Sequence, residues 1–370
     1  MDKPECDSPC GGAIDVSRPP NDIRKADHAI LKPCVGRCVD SGMLPMQHTA
    51  WVLTAAEYLG SKQDIVTFDV DDSRVGQRMP MTHIGIHPKR LSLVGAQETG
   101  EPGDLVWESN AGLERLACRL AHQSLAIVLP RVPANSPSIV ALKRAFIGRG
   151  LVVVRKAEGT PFIDLDASWK NPRSKFNAGR RSDFRRAERH AEKSGGLTFE
   201  IHENLSESAL DSLLDEAYAV EARSWKGESG TALTGDQILG SFFREYARAA
   251  MRQGTLRLAL MRVGGVAVGM QIAIQCQERF WLLKIGYDPS YARCSPGNLL
   301  MLHTIGYAAQ FGLRSYEFLG SPAPWTTQWT TMLRPYLRVH AYPASLQGAL
   351  ALVQDLLGAL RKRLIRGVTT

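Results

Sequence analysis

Three apolar segments follow one another between residues 256 and 287, and they constrain the fold more than any other stretch. LRLALMRV, VAVGMQIAIQC and ERFWLLKIGY each have the length and residue types of a buried strand. Gly264-Gly265 between the first two predicts a tight hairpin. The chain therefore builds at least part of its core from neighbouring strands.

The segments around these strands predict a mixed α/β pattern. The strand LTFEIHE and two long helices precede them, and a loop, a helix and a further strand follow. These segments are, in order, ESALDSLLDEAYAVEARSW and TGDQILGSFFREYARAAMRQG, then DPSYARCSPG, NLLMLHTIGYAAQFG and LRSYEFLG. PWTTQW reads as a helical turn, LRPYLRVHAYP as a last strand, and ASLQGALALVQDLLGALRKRL as a C-terminal helix.

The first half of the chain predicts the same mixed pattern of helices and strands. A helix opens at Pro45 and closes at Gly60, and two further helices, AGLERLACRLAH and SPSIVALKRAFIGRG, alternate with short strands. The strands are DIVTFDV, VGQRMPM, LSLVG, SLAIVLP, LVVVRK and PFIDLD. We predict a flexible tail over 1–44, domains over 45–166 and 167–345, and a C-terminal helix over 346–370.

The composition limits the classes of binding partner but does not identify one of them. The formal net charge of +8 favours nucleic acid, anionic lipid or a phosphorylated small molecule. The seven cysteines are an odd number, which argues against a disulfide framework. Cys6, Cys10, Cys34 and Cys38 form two C-x3-C pairs, which are either a metal site or reduced thiols. We expect no metal, and the lack of a signal-peptide pattern predicts a cytoplasmic protein.

The segment RCSPGNLL, residues 293–300, is the candidate anion site. A helix start attracts anions through its free N–H groups and its dipole. Arg293 offers charge, Gly297 allows close approach, Ser295 or Asn298 can cap, and Pro296 lies in the same loop before the helix. An ordinary turn followed by a capped helix would have the same sequence pattern. The order of elements resembles the GNAT acyltransferase fold, which holds coenzyme A where two strands splay apart.

A second stretch carries a more specific resemblance. EARSWKGESGTAL, residues 221–233, resembles the cellulose-biosynthesis (CelD/BcsL-like) acetyltransferases, in which a helix ends E-x-x-S-W-K-G and G-T-A follows. KIGYDPSYARCSPGNLL is similar to that family's K-x-x-Y-D-x-x-Y-x-x-x-S-P-G-x-L-L. The resemblance covers roughly residues 45–345. It implies a tandem GNAT fold, similar in build to the Fem-type aminoacyl transferases.

The resemblance also implies an activity. It implies transfer of an acyl group, such as acetyl, from acyl-CoA to an amine or hydroxyl of a small-molecule or saccharide acceptor. The family serves polysaccharide synthesis. One motif departs from the family's D-F-x-x-G-x-x-x-Y-K, because Glu317, Trp325 and Thr326 replace its Asp, Tyr and Lys.

Three residues are candidates for the chemistry. Glu317 ends a central strand and is either the base or an ion-pair partner of Arg314 or Lys284. Tyr287 either protonates the leaving thiolate or simply packs. Lys284 alternates with Trp281, Leu283 and Ile285, so we expect it to face away from them. It either serves the site or snorkels at an edge.

Four further residues are candidates for substrate binding. The family resemblance assigns Trp225 and Lys226 to the acceptor or cofactor site, and we add Glu221 and Trp325. Without the resemblance, a Trp-Lys pair at a helix end is explained by packing and by the helix dipole.

The basic segment KFNAGRRSDFRRAERHAEK, residues 175–193, predicts a helix with a cationic stripe. Arg181, Arg185, Arg189 and Lys193 recur every four residues, and Asp183, Glu188 and Glu192 offset their repulsion. Phe184, Ala187 and Ala191 form a narrow apolar stripe. We predict contact with the phosphate of a cofactor or an acidic acceptor, and no specific nucleic-acid binding.

The apolar residues of the predicted C-terminal helix have two possible roles. Leu346, Leu350, Val353, Leu357, Leu360 and Leu364 recur at helical spacing before a basic end. They either pack across the two domains or attach the protein peripherally to an anionic membrane. Two rival functions also remain at this point: an aminoacyl-tRNA-dependent transferase, and a non-catalytic nucleic-acid-binding protein. The sequence does not predict the oligomeric state.

Overall fold

A computed structural model describes residues 43–60, 65–69, 78–107, 109–224 and 233–368. The cysteine pairs of the predicted tail, and Trp225 and Lys226, lie outside the described residues. The described part is a mixed α/β structure built on one eleven-stranded sheet, which confirms the predicted fold class.

The sheet runs in the order β1-β2-β3-β4-β11-β5-β10-β9-β8-β7-β6. Its strands are β1 (Ile65–Asp69), β2 (Arg78–Ile84), β3 (Arg90–Leu93), β4 (Ala126–Pro133), β5 (Gly150–Asp164), β6 (Leu197–His202), β7 (Leu256–Val263), β8 (Val266–Cys276), β9 (Arg279–Tyr287), β10 (Ser315–Glu317) and β11 (Leu333–Pro343). The helices are α1 (Thr49–Tyr58), α2 (Ala96–Thr99), α3 (Asn110–Ala121), α4 (Pro137–Ala145), α5 (Ala178–Lys193), α6 (Glu207–Arg223), α7 (Gln237–Arg252), α8 (Pro296–Gln310), α9 (Pro324–Thr327) and α10 (Leu346–Val368).

The two halves of the sheet repeat one arrangement. In the first half an antiparallel β1-β2-β3 meander leads through α3 to β4, which is parallel to β3. In the second half an antiparallel β6-β7-β8-β9 meander leads through α8 to β10, which is parallel to β9. Parallel neighbours require a crossover connection, and each half supplies a helix for it.

Strand β5 joins the halves. The sequence suggested two strands, LVVVRK and PFIDLD, but they form one strand from Gly150 to Asp164. Its first part pairs with β11 and its last three residues pair with β10. Gly159 lets the pairing continue, because a Cβ there would lie 2.7 Å from the carbonyl oxygen of Arg334. The late strand β11 lies between β4 and β5, so the predicted second domain completes the sheet of the first. The predicted boundary at residue 166 stays a prediction.

Helix α1 of the first half packs on the second half. Its Trp51 is buried, with ring centroids 4.9 Å from both Phe242 and Tyr246 of α7 in edge-on geometry. These residues belong to a core cluster that also contains Trp281 and Leu283 of β9. Aromatic pairs of this kind add to the stability gained from burial. The two halves therefore share a hydrophobic core as well as a sheet.

The basic helix α5 docks as predicted through Phe184, Ala187 and Ala191, which are buried. Asp183 pairs with Arg186 at 2.6 Å. Glu188 binds Arg173, which precedes the helix.

Candidate functional site

The pairing between β9 and β10 stops early and opens a gap in the sheet. Only residues 315–317 pair with residues 279–281, whereas β9 continues to Tyr287. The chain beyond Glu317 stays with β5, since the N–H of Phe318 donates to the carbonyl of Pro161 at 3.0 Å. The predicted strand LRSYEFLG is therefore short. Two neighbouring strands splay apart at the place that the sequence indicated.

Left-handed backbone ends β10 at this gap. Leu319 and Gly320 have φ angles of 57° and 56°. Such a φ is rare for leucine, and residues of this kind concentrate at functional sites. The Leu319 side chain is buried in the core that contains Trp281. Core packing therefore holds the turn that directs the chain away from β9.

The start of α8 lies at one side of the gap, and neither predicted cap forms. Ser295 occupies the cap position with φ 44°, and its side chain makes no capping hydrogen bond. The Asn298 side chain instead accepts from Gln328 at 3.0 Å. Ser295 has a left-handed backbone conformation, and its carbonyl, not its hydroxyl, accepts hydrogen bonds from the N–H groups of Asn298 and Leu299. Pro296 has no N–H, so within this first turn the N–H of Gly297 is the group left to meet an anion, together with the dipole of the helix.

Tyr287 and Gly297 meet beside this helix start. A Cβ on Gly297 would lie 3.4 Å from Cδ1 of Tyr287, so the tyrosine ring covers the glycine. Tyr287 ends β9 and thereby lies where the gap reaches the helix start. Gly269 of β8 pairs with Tyr287 and faces Pro296, with a hypothetical Cβ 3.3 Å from its ring.

The basic helix begins beside the same place. Arg180 of α5 donates to the side chain of Gln328, which in turn binds Asn298. Helix α5 also packs on the 3₁₀ turn Pro289–Cys294, which carries the exposed Arg293. Trp325 is half-buried, with its ring 5.9 Å from that of Phe318. The predicted phosphate residues and Trp325 therefore surround one end of the gap.

Glu317 is fully buried and ion-paired. Its carboxylate accepts from Nη2 of Arg334 at 2.8 Å and from the hydroxyl of Ser315 at 2.6 Å, with Arg279 at 4.0 Å. The expected ion-pair partners are wrong, because Arg314 pairs with Glu278. A carboxylate held by a guanidinium on one side is poorly placed to take a proton from a substrate.

Lys284 does not face away from Trp281 and Leu283. Its Nζ lies 4.2 Å from the ring centroid of Phe243, in the core cluster of Trp281 and Leu283. Ile285 packs against the opposite face. The reason is a bulge: Ile272 pairs with Lys284 while Ala273 pairs with Leu282, which breaks the alternation. Lys284 consequently points to the side on which the first half approaches.

Glu101, which the sequence did not single out, lies at the gap within electrostatic range of Lys284. It follows α2 in the first half, and its Oε2 accepts from the N–H of Gly320 at 3.4 Å. Burial raises the pKa of Glu101, while Lys284, the Gly320 N–H and Arg131 oppose the rise. Arg131 also binds the carbonyls of Gly100 and Gly320, at 2.9 and 2.7 Å. Nothing in the local pattern QETGEPGD separates Glu101 from Glu98, so only the fold identifies it.

The end of α6 supports β9 from the same side. Glu221 is buried and accepts from the N–H of Leu233 at 3.0 Å. A Cβ on Gly286 would lie 2.9 Å from Cα of Glu221, so helix and strand touch there. Arg223 pairs with Asp288 at 2.6 Å. Burial opposes ionisation of Asp288, but bonds from Ser290 and Arg223 outweigh it and lower its pKa.

Comparison with known proteins agrees with this geometry. No protein of curated function matches the sequence. Residues 178–327 match the model of the family Acetyltransferase (GNAT) domain. The chain thus contains a GNAT-type acetyltransferase domain that includes α5, the gap and the start of α8.

Solved structures resemble the chain more loosely. A structure of FemX is 13% identical, with a TM-score of 0.49 over 89% of this chain and 97% of that chain. The C-terminal domain of a protein named as a lysylphosphatidylglycerol synthetase, from Agrobacterium fabrum, is also 13% identical. Its TM-score is 0.48 over 82% of this chain and 91% of that chain. An N-acetyltransferase from Thermoplasma acidophilum, solved with coenzyme A, is 15% identical and covers 39% of this chain and 99% of its own, with a TM-score of 0.27.

The ion pair predicts a stability effect. Arg334→Met retains a side chain beside Phe162 but leaves the buried Glu317 with only Arg279 and Ser315. Breaking one side of a buried pair costs about 3–5 kcal/mol of unfolding free energy, which urea denaturation measures. The double variant with Glu317→Gln recovers part of the loss. Arg314→Met removes an exposed pair and changes stability by less than about 1 kcal/mol. Equal stabilities of the two single variants would contradict the structural role of the pair.

Proposed function

We propose that the protein transfers an acyl group from a coenzyme A thioester to an amine or hydroxyl of a small-molecule or saccharide acceptor. The observation that carries the proposal is the gap between β9 and β10. An uncapped helix start lies at one side of it, and Glu101 with Lys284 lies at the other. The acetyltransferase family match and the resemblance to the cellulose-biosynthesis acetyltransferases support it. That resemblance is also the support for a role in polysaccharide or envelope synthesis.

The donor site is the start of α8. The N–H group of Gly297 receives the pyrophosphate, because the side chain of Ser295 does not cap this helix start and its carbonyl binds the N–H groups of Asn298 and Leu299 instead. Arg293 and the first turn of α5 add positive charge from the exposed side. Tyr287 and Trp325 flank the path from this helix start into the gap. Coenzyme A supplies the activated thioester, and these residues hold and orient it.

The acyl carbonyl lies in the gap itself. Beyond Trp281 the edge of β9 is not paired by β10, so its backbone faces the space between the strands. Backbone N–H groups that point to a developing oxyanion are among the strongest contributions to acyl transfer. The bulge at Leu283 and the left-handed turn at Leu319 keep this space open.

Glu101 takes the proton from the attacking amine or hydroxyl. The new bond forms between the acceptor nitrogen or oxygen and the carbonyl carbon, and the carbon–sulfur bond breaks. Tyr287 returns a proton to the leaving thiolate. Lys284 stabilises the Glu101 carboxylate and orients it. Glu317, the base suggested by the sequence, positions β10 through Arg334. Glu221 contributes to acceptor binding from the end of α6. The family resemblance adds Trp225 and Lys226 to the acceptor site, and both lie outside the described residues.

Asn298→Asp tests the donor site. Aspartate retains the acceptor atom for Gln328 and adds a charge that the helix dipole favours, so thermal stability holds or rises. The same charge repels a pyrophosphate, so the affinity for coenzyme A falls about tenfold or more in calorimetric titration. Ala111→Asp, which adds a charge to the exposed start of α3, leaves the affinity unchanged. Unchanged affinity in Asn298→Asp would refute the donor site.

Glu101→Gln tests the base. The rate of coenzyme A release with an amine acceptor falls about 10²-fold or more, since general bases contribute that much. In the wild type kcat/KM falls tenfold per pH unit as pH drops below the raised pKa of Glu101, and the variant lacks this limb. A carboxyl whose pKa is raised on folding lowers the stability of the protein as the pH rises above the pKa that the carboxyl has in the unfolded chain. The variant is therefore at least as stable as the wild type at neutral pH.

The matched control for the base is Glu114→Gln, which changes an exposed carboxylate paired with Arg144. Its rate and pH profile match the wild type. Retention of the acidic limb in Glu101→Gln would show that another group is the base. If calorimetry detects tRNA binding and no coenzyme A binding, the donor is an aminoacyl-tRNA and the coenzyme A proposal fails.

A further inference from the structure

The outward face of α10 carries an exposed apolar stripe. The five side chains of the stripe are each about half exposed or more, and they follow one another at intervals of four and three residues. They are Leu346, Leu350, Val353, Leu357 and Leu360. This spacing places them along one line of the helix. Leu356, beside the stripe, is 51% exposed. Contiguous apolar surface of this kind marks an interaction site.

The helix packs on the protein through its opposite face, so the stripe does not serve folding. Gly348 and Ala351 face the sheet, and a Cβ on Gly348 would lie 2.1 Å from the carbonyl oxygen of Pro343. Asp355 accepts hydrogen bonds from Arg90 at 2.8 Å and from Tyr342 at 2.5 Å. At about 100° per residue these positions lie opposite the leucines. For these five described side chains, packing across the two domains, one of the interpretations of the sequence, is therefore wrong.

The clamp at Asp355 fixes the helix in this orientation. Burial opposes ionisation of Asp355, but hydrogen bonds from Arg90, Tyr342 and His340 outweigh it and lower its pKa to about 2. The carboxylate is therefore charged at neutral pH and holds α10 to β3 and β11. The leucines are thereby kept outward.

Cations surround the stripe. Asp355 is the one acidic residue in the sequence of α10, and four cations follow the stripe: Arg361, Lys362, Arg363 and Arg366. Arg155 of β5 and Arg338 of β11 lie opposite each other in the sheet, and both are exposed. They are on the face that carries α10, because Arg338 lies two residues before His340 on β11 and His340 binds Asp355 of α10.

We propose that α10 docks the protein on an anionic lipid bilayer, with its axis in the plane of the interface. An apolar face with a cationic surround is the pattern that binds anionic interfaces. A second copy of the chain is the less suitable occupant, because the two cationic surrounds would meet with like charge. None of the described helices is long and apolar enough to cross a membrane. The inference goes beyond acyl transfer and does not depend on it.

Flotation of the full-length protein with lipid vesicles tests this. Binding to phosphatidylcholine vesicles with about 30% phosphatidylglycerol is at least tenfold tighter than to phosphatidylcholine alone, and it weakens as salt screens the charges. The double variant Leu350→Gln/Leu357→Gln binds the anionic vesicles at least tenfold more weakly. Both leucines are exposed, so its thermal stability stays that of the wild type.

The control variant is Phe311→Gln, which removes an equally exposed apolar side chain from the end of α8. Its vesicle binding equals that of the wild type. Absence of binding to anionic vesicles, or equal binding by the double variant, would overturn the proposal. Light scattering that shows a dimer dissociated by the double variant would assign the stripe to a second copy and also overturn it.

Discussion

Strand β5 is the constraint on which the rest of the structure depends. It pairs with β11 along most of its length and with β10 at its end, so one strand belongs to both halves of the sheet. Because β10 is held to β5, it leaves β9 after three pairs. The buried pair of Glu317 with Arg334 joins β10 to β11 across β5. The gap is thus a consequence of how the halves are joined.

The same join brings residues of the first half to the gap. Glu101 and Arg131 reach Gly320 from the side on which the bulge in β9 directs Lys284. The proposed donor site is formed by α8 and α5, and both helices lie within the region that matches the acetyltransferase family. The arrangement divides the proposed work between the halves. In the proposed function the second half binds the donor, and the first half supplies the base.

Much of this fold could be predicted from the sequence, and the exceptions have physical reasons. β7, β8 and β11 have the predicted bounds, because apolar runs and the Gly264-Gly265 turn define them locally. The splay of two neighbouring strands was predicted from the resemblance of the element order to the GNAT fold, whereas the contact of Tyr287 with Gly297 is seen only in the structure. The direction of Lys284 depends on a bulge, and the role of Glu101 depends on long-range packing. Neither leaves a periodic signal. The domain boundary and the site roles remain predictions.

Hydrogen exchange, measured by mass spectrometry with and without coenzyme A, tests the central claim most directly. If the gap holds the donor, coenzyme A slows exchange in two segments of the second half, residues 284–298 and 318–321. Since Glu101 faces the same gap, residues 99–104 of the first half are protected as well when an acyl-CoA is added. Protection confined to other parts of the chain, or no protection at saturating coenzyme A, would contradict the account.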